Sequence, residues 1–116
     1  MKFSKTYAVR EYVTPEGHSP YRDWIDSLDV AIKVRIQARI LRFELGNLGD
    51  YKSVEKGVFE ARFSFGPGYR LYFGIDKGSI VILLLGGEKN SQRRDIQKAQ
   101  SFWADYLRGG KYGSKK

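Results

Sequence analysis

The sequence predicts an α+β domain: an antiparallel-rich, four-stranded sheet packed against a two-helix hairpin and a C-terminal helix, in the order β-α-α-β-β-β-α. Three observations carry this. GVFEARFSFGPGYRLYFG, residues 57–74, alternates apolar and polar positions about a Gly66-Pro67-Gly68 turn, as a β-hairpin does. Residues 19–45 instead repeat their apolar positions at helical spacing. SIVILLLG, residues 79–86, is apolar at successive positions and so predicts a strand covered on both faces.

Taken in order, the first strand is expected over Lys5 to Val13, ended by Thr14-Pro15-Glu16-Gly17. Ser19-Pro20 is a helix start: serine caps, and proline takes the first helical position, where its missing N–H costs nothing. Tyr21, Trp24, Ile25 and Leu28 follow as one buried stripe. Asp29 begins a longer helix that stops at Gly46-Asn47. Its residues Ile32, Ile36, Ile40 and Phe43 form one ridge, and Val34, Ala38, Leu41 and Leu45 another. A helix apolar on two sides is expected to be sandwiched, one ridge on the sheet and the other on the first helix. Ser91 caps a last helix with Ile96, Ala99, Trp103 and Tyr106 on one stripe. The domain is expected to span residues 1–107, with 108–116 a disordered basic tail of Gly, Ser and Lys.

A chain of 116 residues with 41% hydrophobic content holds one core and not two. It has no cysteine and one histidine, which excludes a disulfide framework, a thiolate nucleophile and a multi-histidine metal site. No apolar run approaches membrane length, so the expectation is a soluble cytoplasmic protein without a membrane partner. The net charge of +8 favours polyanionic partners, nucleic acid first. Arg108, Lys111, Lys115 and Lys116 supply four of those charges from the tail, and the folded body keeps the rest.

Within the hairpin, Phe59, Ala61, Phe63 and Phe65 share one face. A turn centred on Pro67 would set Ser64 opposite Arg70 and Arg62 opposite Tyr72, gathering Glu60, Arg62, Ser64, Arg70 and Tyr72 on the other face as a surface for phosphate and base. The competing reading is a solvated sheet face. Arg35, Arg39 and Arg42 make a basic stripe on the long helix, which either grips a phosphate backbone or is plain solvated charge. His18 stands in a loop, where histidines are commonly structural.

FEARF, then GPGYRLYF, then LLLGGEKNSQ, in that order, resemble the RelE/ParE toxin superfamily, and within it the HigB-like addiction-module killer proteins of phage-derived type. The resemblance covers residues 5–107. It implies the toxin of a type II toxin–antitoxin pair, held by a cognate antitoxin with a helix-turn-helix domain. The implied activity is a ribosome-dependent mRNA endonuclease needing no cofactor or metal, with ribosome and mRNA as partners. The same fold also serves gyrase inhibitors and inactive nucleic-acid-binding relatives.

For RNA cleavage by its own 2′-OH, Arg62 and Arg70 match the basic hairpin positions that would stabilise the phosphorane, with Lys89 a third cation. Tyr72 would stack a base, and Lys52, Lys56, Arg35, Arg39 and Arg42 would bind RNA. The general base is open between Glu60 and Glu55, either of which could instead be a structural partner of the arginines. Near the C-terminus, where relatives carry an acid–base histidine or tyrosine, this chain offers Tyr106 and Tyr112.

Overall fold

A computed structural model of the chain describes residues 5–112. The chain forms β1 (Ala8–Val13), α1 (Pro20–Asp26), α2 (Val30–Glu44), β2 (Tyr51–Ser53), β3 (Phe59–Arg62), β4 (Tyr69–Asp76), β5 (Ile80–Glu88), a single 3₁₀ turn (Lys89–Ser91), α3 (Gln92–Leu107) and β6 (Lys111–Tyr112). The α+β class stands, but the sheet has six strands in the order β2-β3-β4-β5-β1-β6, not four. It is mixed, because β1 runs parallel to β5 while every other neighbouring pair is antiparallel. The added strands are edge strands of three and two exposed residues, too short to carry a period. Lys111–Tyr112 pair with Val13 and Tyr12, so order continues past residue 107 into the expected tail; residues 113–116 lie outside the described residues.

The sheet is covered on both faces. Val9, Ile25, Ile36, Ile40, Phe43, Leu71, Val81 and Leu83 build a core with α1 and α2 on one side. Tyr12, Val58, Tyr72, Ile82, Leu84, Ala99 and Trp103 build a second core under α3. Alternate residues of β5 enter the two cores, which is why that strand is apolar throughout. Gly86 lets Trp24 lie on the strand, since a Cβ there would meet the indole at 2.0 Å. Ser19 caps α1 as expected, its hydroxyl accepting from the Arg22 N–H, with Pro20 at the first position.

Two expectations are corrected. On α2 the ridge Ile36, Ile40, Phe43 is buried as predicted, but Val34, Leu41 and Leu45 are each more than half exposed. The helix is not sandwiched, because α1 packs on β5 and β1 beside it instead of covering its outer side. The hairpin register also differs by two residues: Arg62 faces Arg70 and Glu60 faces Tyr72, the chain turning with Gly66 and Gly68 at positive φ. An even shift leaves every side chain on its predicted face.

Candidate nucleic-acid interface

The arginines of α2 and the end of β3 meet in one cleft of about 360 Å³, lined by Arg35, Ala38, Arg39, Arg42, Asp50, Arg62, Phe63, Ser64 and Phe65. Helical spacing puts Arg35, Arg39 and Arg42 along one edge of α2. Arg62 ends β3 and turns round the sheet edge to Asp50, Nη2 lying 3.3 Å from Oδ1. Arg35 lies over the Phe65 ring at 3.7 Å and Arg39 over Phe63 at 4.7 Å. The two helix ends of the stripe, Arg35 and Arg42, are exposed and have no ion-pair partner among the described residues.

Arg39 has a different task. Its guanidinium donates to the carbonyls of Arg62, Leu48 (3.2 Å) and Asp50 (2.6 Å), tying α2 to the loop before β2 and to the end of β3. Burial lowers its pKa, partly offset by the nearby Asp50 charge and reinforced by Arg42. Arg39 therefore builds the wall of the cleft, while Arg35, Arg42 and Arg62 present charge into it.

The remainder of the predicted patch lies under α3. Glu60 is fully buried and accepts from the Tyr72 hydroxyl (3.1 Å) and from Gln92 Nε2 (2.7 Å), with its second oxygen 3.9 Å from Arg70 Nε. Burial, then the charge and hydrogen bond of Glu60, hold the Tyr72 pKa well above the ordinary phenol range, so the hydroxyl remains a donor. Tyr72 has no exposed ring face and cannot stack a base; that expectation is overturned by α3 lying over it. Glu60 in this position is the structural partner of Arg70, with no opening to a substrate. Beside them Ser91 Oγ donates to Asp95 Oδ2 (2.6 Å), and Asp95 fits against the sheet because residue 87 is glycine.

Lys89 is exposed on the turn after β5 and packs along Gly68, close to the Arg70 guanidinium. Lys52 and Lys56 are exposed, and neither lines the cleft. Glu55 and Lys56 occupy a tight turn with positive φ. The Tyr106 hydroxyl donates to Asp76 (2.6 Å) and the residue is largely buried, whereas Tyr112 is exposed at the β6 edge. Sequence reasoning missed Asp50, the rings of Phe63 and Phe65, and Gln92. Alternation puts the two phenylalanines on the apolar face of the hairpin, and only the cleft's geometry reveals that Arg35 and Arg39 lie over their rings.

Among the described residues no group of acidic or imidazole side chains has the arrangement of a metal site, and no helix is long and apolar enough to cross a membrane. A family model described as "Phage derived protein Gp49-like (DUF891)" matches residues 23–102, more than half the chain. The chain belongs to the Gp49-like family. An uncharacterized protein of Haemophilus influenzae is 44% identical over 81 residues, 69% of this chain and 82% of that protein. The Gp49-like match begins inside α1 and ends inside α3, so it takes in every residue that lines the cleft.

Proposed function

We propose that this Gp49-like protein is the toxin of a type II toxin–antitoxin pair that acts on mRNA held in the ribosome, as an endonuclease. The family is toxin-like and related to addiction modules, which supports the general class. The observation that carries the nucleic-acid reading is the cleft: three arginines with free donors converge beside two phenylalanine rings, a combination suited to a phosphate backbone with a base at its side. Arg62 is the group for the phosphorane charge, with Lys89 exposed on the turn after β5 as a second cation. Asp50 is the one carboxylate lining the cleft, and it stands next to Arg62 where a 2′-OH proton would be taken up.

One observation favours the second reading, a non-enzymatic toxin acting on gyrase or another host target: Glu60 is sealed from solvent, and the only acid in the cleft is already paired. Induced expression followed by mapping of mRNA 5′ ends separates them. New codon-phased ends that vanish in Arg62→Ala support cleavage. Intact transcripts with altered plasmid supercoiling would sink the endonuclease. Asp50→Asn gives a further division, because cutting should fall while binding to the same RNA rises with the loss of a negative charge.

A further inference from the structure

α2 carries apolar residues on a side that nothing in the fold covers. At about 100° per residue, Val30, Ala31, Val34, Ala38, Leu41 and Leu45 fall within one arc of about 100° that contains no polar residue. All six are exposed; Val30, Val34, Leu41 and Leu45 show 76%, 56%, 53% and 60% of their surface, while the opposite ridge of the same helix shows none. Scattered surface aliphatics are ordinary, but a stripe along the whole of a 15-residue helix is a recognition feature. The spacing 31, 34, 38, 41, 45 is that of a coiled-coil seam, with the small Ala31 and Ala38 where a second helix would approach most closely.

The charges beside the stripe select its occupant. Arg35 and Arg42 run along one edge, without ion-pair partners among the described residues, and Ala38 belongs both to the stripe and to the arginine cleft. A second copy of this chain fits poorly, since each copy has a net charge of +8 and α2 contains a single acid, Glu44, among four cations. Nucleic acid fits the cleft but leaves the aliphatic stripe in water. We propose that the outer side of α2 is the docking surface for an amphipathic helix of another protein, one that lays an apolar seam on Val30 to Leu45 and acidic side chains against Arg35 and Arg42. A partner seated there neutralises two of the three arginines that present charge into the cleft without entering it. The inference stands apart from the toxin reading, because it concerns the helix and none of its tests measures RNA.

The test uses the full chain and two synthetic helical peptides of three heptads. Both have leucine and isoleucine on one face, and they differ only in having glutamate or lysine along its edges. Fluorescence anisotropy should show saturable binding of the glutamate peptide and at least tenfold weaker binding of the lysine peptide. Leu41→Lys should also weaken the glutamate peptide at least tenfold, with an unchanged melting temperature because the position is exposed. Arg35→Gln with Arg42→Gln should flatten the salt dependence. The proposal is overturned by no saturable binding, by equal affinity for the two peptides, or by equal affinity of wild type and Leu41→Lys. Sedimentation showing a homodimer that Leu41→Lys disperses would overturn it in favour of a second copy.

Discussion

Arg62 and Arg70 are opposite one another in the hairpin, the same residue type on the same sheet face, yet they belong to two different regions. Arg62 stands at the strand end, where β3 stops, and its side chain is 40% exposed beside Asp50. Arg70 is 11% exposed against Glu60, a carboxylate that has no contact with water and that Gln92 at the start of α3 also bonds. Strand position alone divides them. A guanidinium at an edge keeps its donors for a ligand, whereas one under a helix must find its counter-charge within the fold, because leaving it unpaired there costs several kcal/mol.

If that division holds, removing Glu60 should have the largest effect. Glu60→Ala leaves Arg70 buried without a counter-charge and takes the acceptor from Tyr72 and Gln92, so urea denaturation should show a loss of about 3–5 kcal/mol. A loss below about 1 kcal/mol would mean that Arg70 reaches water on its own, and the two regions would merge. Arg70→Ala is accordingly a folding lesion and a poor probe of toxicity. Arg39→Ala comes next, at about 2 kcal/mol from the hydrogen bonds of a charged donor to three carbonyls. It should also abolish RNA binding by loosening the cleft wall, and Arg39→Lys should not restore it, having no planar fork.

Tyr72→Phe should cost about 1 kcal/mol near neutral pH. Its sharper signature is alkaline. Tyr12, Tyr21, Tyr72 and Tyr106 all have pKa values raised, burial first among the causes, so the folded chain keeps protons that the unfolded chain releases. The contribution of these tyrosines should be constant below about pH 10 and fall as pH rises above it, and denaturation midpoints in that alkaline range should fall less steeply in Tyr72→Phe. The smallest stability change is expected for Arg35→Gln with Arg42→Gln, within about 0.5 kcal/mol of wild type. For that pair the measurement is RNA affinity against salt, whose log–log slope should shrink by about 1.4 if each arginine meets one phosphate of a single strand. An unchanged slope would make the stripe solvated charge and leave Arg62 alone in the cleft.

The local elements were legible because local chemistry makes them. Ser19-Pro20 starts a helix, Gly66-Pro67-Gly68 turns a hairpin, and Ile80 to Leu85 can lie only between two layers. The sequence also shows which face of β3 holds Glu60 and Arg62. It does not show that the Ala99–Trp103–Tyr106 side of α3 is laid over that same face, and this turned a predicted open patch into a sealed polar layer. The failure on α2 is the reverse. Periodicity registers two apolar ridges and cannot say that α1 leaves one of them bare. Arg35 and Arg62 lie far apart in the chain, and their meeting depends on Arg39 drawing the Asp50 loop against the helix, a tertiary contact with no local pattern.

β1 has a consequence for how the molecule comes into being. Its parallel partner is β5, Ala8 lying beside Ile80, and its other neighbour is β6, so the first strand made is flanked on both sides by strands made near the end. Such non-local pairing closes slowly, because the chain must lose the entropy of a long loop before any hydrogen bond is gained. A chain still emerging during synthesis would hold β1 with both edges open until β5 appears. Val9, buried against Val81 in the finished fold, would stay in water until then. Fragments ending before residue 80 should therefore stay unfolded and protease-sensitive even though α1, α2 and β3 are complete in them, and full assembly should be a single late event.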